Sequence, residues 1–261
     1  MPGRRSHTAR EKIGPVRFGI QAFGEICITL GIILLLFVAW QLWWTDIGAN
    51  KNNTRLAHSL AEKWHRDGTQ PDAAAPPVQD DSAGNLGKLP AVKEPDFATA
   101  FGIMYVPRFG NDYYRTIAEG TALNPVLDEM GLGHYEGTAM PGRRGNFAVA
   151  GHRTTYGKPL NKIADLHPGD KIVVETKAGW YTYTFRNFNI VLPDHVSVVG
   201  PVPDAPTMKP TDRFMTLTAC NPMYSARERY IAYAVLTGWS SASHGPPKTI
   251  AGTPAYRKAH S

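Results

Sequence analysis

Cysteine is scarce in this sequence. Its 261 residues include only two, Cys27 and Cys220. Cys27 lies inside a long apolar segment near the N-terminus, which leaves Cys220 as the only thiol in the rest of the chain. A structural disulfide within that part of the chain is therefore excluded. Cys220 is either a packing residue of the core or a reactive thiol, and the residues around it must distinguish the two.

Excess charge is missing from the body of the chain. The net charge of +6 at first suggests a basic protein. Residues 1–19 hold five basic residues and one acid, giving +4, and residues 241–261 hold three basic residues and no acid, giving +3. Residues 20–240 therefore carry a net charge of −1. The sequence gives no support for a basic stripe on a folded surface, and we predict no nucleic-acid partner.

The sequence also lacks a glycine-rich phosphate loop, a regular alternation of strands with helices, and an internal repeat. These absences argue against a dinucleotide-binding fold and a repeat architecture. Seven runs between residues 100 and 240 are typical of β-strands: FGIMYVP, DYYRTIAEG, NFAVAGH, KIVVET, WYTYTFRNFNIVL, FMTLTAC and RYIAYAVLTGW. Two segments, LNPVLDEMG and PLNKIADL, are typical of short helices. Seven strands in about 140 residues predict an all-β sandwich or closed barrel.

One long apolar run is present. Residues 26–44 carry no formal charge, and roughly 20 such residues cross a bilayer as a helix. Three tryptophans near the end of the run suit the membrane–water interface. A cleaved signal peptide is the alternative, but the run is longer than the usual apolar core and ends without a small-residue cleavage site. Because the basic residues precede the run, the positive-inside rule places residues 1–19 in the cytoplasm and the residues after the run outside.

The remaining segments complete a predicted domain order. Apolar residues at helical spacing between positions 54 and 64 predict a short amphipathic helix, lying along the membrane, against the body, or frayed as a stalk. Residues 67–99 are rich in Pro, Ala, Asp and Gly, which is typical of a flexible linker. The predicted order is a basic cytoplasmic head at 1–19, a transmembrane anchor at 20–44, a juxtamembrane helix and linker at 45–99, a folded domain at 100–240 and a disordered basic tail at 241–261.

Cys220 ends a strand-like run, MTLTAC, in which apolar and polar residues alternate. Alternation in a strand sends successive side chains to opposite faces. Cys220 therefore lies on the face of Thr216 and Thr218 and not on the face of Met215 and Leu217. That position is unusual for a packing cysteine, but free cysteines are often buried, so this stretch alone leaves both the structural and the reactive interpretation open.

A thiol nucleophile needs a base or proton shuttle, and histidine is the usual one. His152 closes the run NFAVAGH, so a rigid strand would hold it at its end. His134 lies between glycines in a segment that must fold tightly, and it remains a second candidate. The other histidines fall in turns, tails or the juxtamembrane helix.

A tetrahedral intermediate also needs a hydrogen-bond donor or a cation for its oxyanion. Arg227 and Arg229 follow Cys220 at positions that share one face of the next strand. If that strand folds back antiparallel, we expect Cys220 opposite Arg227 and Thr218 opposite Arg229. The alternation alone cannot choose between the two arginines, and both can also be solvated surface residues.

These motifs resemble one family. TLTAC is similar to the TLxTC signature of sortases, which are membrane-anchored cysteine transpeptidases, and with NFAVAGHRTTYGKPL and an N-terminal anchor it resembles their class E branch. The resemblance covers about residues 100–240. It implies a closed eight-stranded β-barrel and three catalytic residues, His152, Cys220 and Arg229. One residue departs from the pattern: Ala219 stands where the family usually has threonine, so a hydroxyl beside the site is lost.

The resemblance also implies an activity. Cys220 would cleave an LAxTG or LPxTG sorting signal between Thr and Gly, with LAxTG the expected preference, and form a thioacyl intermediate. The partners would be secreted proteins that bear the signal and an amine of a lipid-linked peptidoglycan precursor or stem peptide. Thr154, Tyr156 and Thr218 are candidates for substrate binding, and residues 193–212 for one wall of the peptide groove. No cofactor is implied, and no metal ligand is assigned.

Two other functions are considered. An L,D-transpeptidase also uses a cysteine on peptidoglycan, but it should show a His-Gly-Cys arrangement, whereas Cys220 follows Thr-Ala. A membrane-tethered barrel without activity is the non-enzymatic alternative, although such a protein is expected to lose a catalytic residue. A pilus-building sortase would usually have a second membrane segment near the C-terminus, and residues 241–261 contain no apolar run.

Overall fold

The structure is a computed structural model that describes residues 14–67, 86, 89–90 and 92–261. The chain divides into two compact units between Trp44 and Thr45. The first helix, α1 (Pro15–Arg66), contributes residues to both.

The first unit contains the apolar part of α1. A stretch of 24 residues, Pro15–Val38, contains an 18-residue window with a mean hydropathy of 2.2 and no buried residues, so by length and composition it can cross a membrane. A signal sequence meets the same criteria. The helix begins at Pro15, so the last five residues of the predicted head at 1–19 belong to it. Residues 1–13 of that head lie outside the described residues.

In its described residues, the second unit, Thr45–Ser261, is built on eight strands. They are β1 (Ala100–Tyr105), β2 (Tyr114–Glu119), β3 (Leu132–His134), β4 (Gly145–Gly151), β5 (Lys171–Thr176), β6 (Gly179–Val191), β7 (Arg213–Asn221) and β8 (Glu228–Ser241). They close into a barrel in the order β1-β2-β3-β4-β7-β8-β6-β5. The pairs β2–β3 and β4–β7 are parallel, and the others are antiparallel. The all-β, closed eight-stranded barrel is confirmed, and β3 is the strand that the sequence patterns miss.

The barrel interior is an apolar core to which most strands contribute. On β7 the buried residues Met215, Leu217 and Ala219 belong to this core, as the alternation predicts. The opposite face of β7, which carries Thr216, Thr218 and Cys220, is therefore free to form a site.

The second half of α1 packs against the outside of the barrel, one of the three predicted arrangements. Ala57, Leu60 and Trp64 are buried in a second apolar cluster with Ile103 of β1 and Trp180 of β6. Every third or fourth residue of the helix faces this cluster, because that spacing places side chains on one side of a helix.

The structure contradicts the predicted disordered tail at 241–261. This segment forms two short helices, α2 (Lys248–Ala251) and α3 (Pro254–Ala259), and buries Ile250, Ala255 and Ala259 in the same cluster as α1. Thr253 begins α3 by accepting a hydrogen bond from the backbone N–H of Tyr256 at 3.2 Å. A segment with so few apolar residues is predicted to be disordered from its sequence alone. In the folded chain, these residues pack against the apolar surface that α1 and the barrel form together.

Most of the predicted linker at 67–99 lies outside the described residues. At its end, Leu86, Leu89 and Val92 pack partly buried against the core cluster of the barrel. The folded domain therefore includes residues on both sides of the predicted range 100–240.

Candidate active site

Cys220 lies at the end of β7, half-buried and unpaired. Its neighbour Ala219 is buried in the barrel interior. A threonine at position 219 would therefore place its hydroxyl toward the core and not beside the thiol. The departure from the family signature changes packing behind the site and leaves the thiol face unaltered.

The parallel pairing of β4 with β7 brings His152 level with Cys220. The register joins Gly145 to Arg213 and Ala150 to Thr218, an offset of 68 residues in both pairs. The same offset, 220 minus 152, separates His152 from Cys220. His152 directly follows the last residue of β4, so the two side chains arise from the same end of neighbouring strands.

A carboxylate holds the His152 ring. Its Nε2 donates a hydrogen bond to Asp128 Oδ1 at 2.7 Å, with both side chains mostly buried. The ring also lies 5.1 Å from the ring of Tyr156, whose backbone adopts a positive φ of 51°. Because Asp128 engages Nε2, Nδ1 is the nitrogen left for proton transfer. The residue patterns do not identify Asp128 as a partner, since it belongs to a loop 24 positions earlier in the chain.

Arg229, and not Arg227, stands directly opposite Cys220. The antiparallel register of β7 and β8 pairs Cys220 with Arg229 and Asn221 with Glu228. The expected pairing of Cys220 with Arg227 and Thr218 with Arg229 is therefore wrong by two residues, because Arg227 belongs to the turn. Its side chain is 74% exposed.

The Arg229 guanidinium is anchored to that turn. Its Nη1 donates hydrogen bonds to the carbonyl oxygens of Ala226 at 2.9 Å and Glu228 at 3.0 Å. A guanidinium has five N–H donors, so the group retains donors for a substrate beside the thiol.

Sequence reasoning misses a second arginine, Arg153. It is buried, and its Nη1 donates to Asn221 Oδ1 at 2.6 Å and to the carbonyl oxygen of Cys220 at 3.2 Å. Its guanidinium lies 5.6 Å from the centre of the Tyr230 ring. Arg153 thus joins the loop after β4 to the end of β7 and holds the backbone that carries the thiol. Its position directly after His152 was the available signal.

The three candidates for substrate binding differ in their surroundings. Thr218 is buried, and its hydroxyl shares a 2.9 Å hydrogen bond with the Tyr135 hydroxyl. This contact holds the strand two residues before Cys220. Tyr156 contacts His152 as described. Thr154 is half-buried in the turn after His152, and no contact distinguishes it as a substrate ligand.

The segment between β6 and β7 lies over the face of β7 that carries Cys220. Asn146 of β4 donates from Nδ2 to the carbonyl oxygens of Val198 at 3.2 Å and Gly200 at 3.1 Å. Thr216, which shares its strand face with Cys220, donates to Asn146 Oδ1 at 2.9 Å. The same segment leaves three large apolar side chains more than half exposed, namely Leu192, Val196 and Met208.

Within the described part of the chain, Cys220 is in no group of three His, Cys, Asp or Glu side chains close enough to share an ion. His134, the second histidine candidate, is fully buried at the end of β3 and contacts Glu119 and Thr138 instead of the thiol.

Comparison with known proteins agrees with this geometry. A family model described as the sortase domain matches residues 104–237. Sortase SrtE1 of Streptomyces coelicolor is 35% identical over 253 residues, covering 95% of this chain, and the chain spans 65% of the length of that relative. Sortase SrtE2 of the same organism is 31% identical, covering 90% of this chain and 91% of its own length.

Solved structures that resemble this chain in fold are also sortases. The SrtA sortase from Actinomyces oris has a TM-score of 0.59 at 34% identity, covering 70% of this chain and 97% of that one. Sortase E1 from Streptomyces coelicolor, solved with a tripeptide in its active site, has a TM-score of 0.55 at 35% identity, covering 59% and 97%. The chain therefore belongs to the sortase family of cysteine transpeptidases, and class E sortases are among its relatives.

Proposed function

We propose that this chain is a membrane-anchored transpeptidase that cleaves an LAxTG- or LPxTG-type sorting signal between Thr and Gly. It then joins the new carboxyl end to an amine of the cell wall. One observation carries the proposal: the strand register brings His152 and Arg229 to either side of Cys220. Nucleophile, proton shuttle and cationic donor are the three groups that acyl transfer from a peptide requires.

The first step is attack on the peptide. His152 Nδ1 takes the proton of the Cys220 thiol, the resulting thiolate forms a bond to the carbonyl carbon of the signal threonine, and the carbonyl electrons move onto oxygen. Arg229 donates hydrogen bonds to this oxyanion from N–H groups that the Ala226 and Glu228 carbonyls do not occupy. The negative charge on this oxygen develops only in the transition state. Donors that stabilise it accelerate the step without tightening the binding of the substrate.

The second step expels the glycine amine. The oxyanion collapses, the C–N bond breaks, and His152 Nδ1 gives its proton to the departing nitrogen, leaving a thioester on Cys220. An incoming amine then attacks the thioester carbon and loses its proton to the same nitrogen, and the thiolate departs. Asp128 keeps the ring oriented through both transfers, since it binds Nε2 throughout.

The exposed apolar side chains between β6 and β7 support a peptide substrate that begins with leucine. Leu192, Val196 and Met208 are more than half exposed, and Leu192 directly follows Val191, which pairs with Arg229 in the register of β6 and β8. The relative sortase E1 was solved with a tripeptide in its active site, which supports a peptide-binding groove here. The structure distinguishes neither Ala from Pro at the second signal position, and LAxTG is the preference we propose.

Anchoring in a membrane follows from α1. We propose that Pro15–Val38 spans the bilayer, with the basic N-terminus in the cytoplasm and the barrel outside. Lipid-linked precursors of the wall are presented at that surface, so a tethered enzyme meets both substrates there.

The test uses the full chain in detergent with quenched LAETG and LPETG peptides and an amine acceptor. We expect the wild type to cleave and transfer, Cys220→Ala to do neither, and mass spectrometry to find the acyl group on Cys220. The faster peptide identifies the signal. A folded wild type that neither cleaves nor forms an adduct would favour a non-catalytic binding barrel instead.

A further inference from the structure

Three side chains with metal-binding groups meet at one rim of the barrel. One carboxylate oxygen each from Glu94 and Glu119 and one ring nitrogen from His134 lie within 4.8 Å of one another. Glu119 ends β2 and His134 ends β3, and the two residues pair directly in the parallel register. Glu94 belongs to the segment before β1.

The hydrogen bonds of His134 fix which of its nitrogens carries a proton. The Thr138 hydroxyl donates to the carbonyl oxygen of Tyr135 at 2.7 Å, so only its lone pairs remain for the ring. His134 Nε2, at 2.8 Å, must therefore donate to Thr138 Oγ1. In the neutral ring this leaves a lone pair on Nδ1, which faces Glu119 Oε2 at 2.8 Å. Two acceptors that face each other in a buried site repel, and either a cation beside both atoms or a proton between them removes that repulsion.

Glu119 gives a second and independent sign. Its side chain is 2% exposed, and Oε1 has no hydrogen-bond partner in the described part of the chain. A buried carboxylate oxygen without a partner is costly, and coordination of a cation removes that cost.

Glu94 completes the group from the solvent side. It is exposed, and its Oε1 accepts a hydrogen bond from the backbone N–H of Gly137 at 3.1 Å. The group therefore has two buried ligands fixed on strands and one outer ligand that leaves an entry path. Donation of the second imidazole N–H to a neighbouring oxygen, as from His134 to Thr138, is also the usual support of a metal-bound histidine.

We propose that Glu94, Glu119 and His134 bind a divalent transition-metal ion such as Zn²⁺. One imidazole nitrogen with carboxylate oxygens suits Zn²⁺ better than Ca²⁺, which takes oxygen ligands alone. The site is separate from Cys220. It adjoins Tyr135, whose hydroxyl bonds Thr218 two positions before the thiol, so a bound ion would stiffen the support beneath the catalytic strand.

The experiment measures Zn²⁺ binding to the full chain in detergent after treatment with a chelator. All proteins carry Cys220→Ala, because a free thiolate would bind zinc by itself. We expect one equivalent of Zn²⁺ per chain by metal analysis and a rise in the melting temperature. Glu94→Gln should weaken binding at least tenfold and should fold normally, because Glu94 is exposed. Glu119→Gln should abolish binding.

Glu136→Gln is the matched control, since it removes an exposed carboxylate two residues after His134 and should leave the affinity unchanged. Co²⁺ in place of Zn²⁺ should give visible absorption bands in the control and lose them in Glu94→Gln. The proposal is overturned if zinc fails to bind, or if Glu94→Gln binds it as tightly as the control does. In that case a proton, and not a metal ion, lies between His134 and Glu119.

Discussion

His152 donates from Nε2 to Asp128 Oδ1 across 2.7 Å, and this contact leaves Nδ1 as the ring nitrogen available for proton transfer. A histidine without such a partner can rotate or exchange tautomers, so part of its population would present the wrong nitrogen. Asp128 reaches the ring from the loop between β2 and β3, and it therefore acts by positioning.

Asp128→Asn should lower kcat by about 10–100-fold with little change in KM, because a small misplacement of a catalytic group costs up to about 10²-fold. The amide keeps the shape of the carboxylate but not its charge, so the ring loses its preferred orientation. Steady-state kinetics with a quenched signal peptide measure the loss. Glu129→Gln removes the neighbouring, exposed carboxylate and should leave kcat unchanged. Equal effects of the two substitutions would mean that general charge, and not the His152 contact, is responsible.

Arg229→Ala should lower kcat by about 10²–10³-fold, the usual effect of removing one oxyanion donor. Arg229→Lys should recover only part of the loss, since an ammonium cannot hold two turn carbonyls and still present a planar fork. Arg227→Ala, which lies in the exposed turn, should retain wild-type kinetics. Loss of activity in Arg227→Ala with a normal Arg229→Ala would reverse the assignment.

Arg153→Met should reduce both stability and activity, because it leaves the Cys220 carbonyl and Asn221 without their buried donor. The expected loss is about 1–3 kcal/mol in the free energy of unfolding. Denaturant unfolding, followed by tryptophan fluorescence, gives this value. The exposed Arg144→Met is the control and should change the free energy by less than about 0.5 kcal/mol. An Arg153→Met protein as stable as the control would show that the contacts contribute little.

Ile250→Ala should cost about 2–5 kcal/mol of unfolding free energy, as other buried Ile-to-Ala changes do. Met208→Ala, on the exposed segment before β7, should cost far less.

A truncated chain tests the extent of the domain. A chain cut back to residues 67–240 loses both α2–α3 and the packed half of α1. We expect that fragment to unfold at a clearly lower temperature than residues 45–261.

The attachment of α3 should depend on pH through His260. Burial disfavours the charged ring, but the hydrogen bond and the negative charge of Glu175 outweigh it, so the pKa of His260 rises above its ordinary value of 6.5. The bond joins His260 Nε2 to Glu175 Oε1 at 3.0 Å, and Tyr105 donates to the other carboxylate oxygen at 2.7 Å.

A raised pKa in the folded state means that the stabilisation is complete below the unfolded pKa, near 6.5, and is lost as the pH rises through the higher folded pKa. The melting temperature of the wild type should therefore exceed that of His260→Gln most at pH 5.5, with the difference shrinking toward pH 8.5. A difference in melting temperature that stays constant or grows with pH would contradict a stabilising ion pair between His260 and Glu175.

β3 illustrates what sequence patterns cannot reach. It has three residues, Leu132–His134, and its middle residue is glycine, so no alternation can develop. Its existence depends on partners already in place, β2 on one side and β4 on the other. Longer strands such as β4 and β7 were predictable because each carries its own alternation over several residues.

The choice between Arg227 and Arg229 shows a similar limit. By alternation alone the two residues would share one strand face, so only the length of the turn decides which of them pairs with Cys220, and that length is a property of the folded hairpin. The positions of His152 and Cys220 were predictable, because each directly follows or ends a well-marked strand. Asp128 and Arg153 were not, since side-chain contacts between loops and strand ends leave no periodic trace.

The position of β8 has a consequence for the making of the protein. It is the last strand of the chain, and it fits between β7 and β6, both of which are complete earlier. Until residues 228–241 have been synthesised, β6 and β7 each present an unpaired edge and Cys220 has no arginine across from it. A nascent or prematurely terminated chain therefore carries its nucleophile in an unassembled site. The proposed acyl transfer would therefore need the complete hairpin of β7 and β8, which only the last part of the chain supplies.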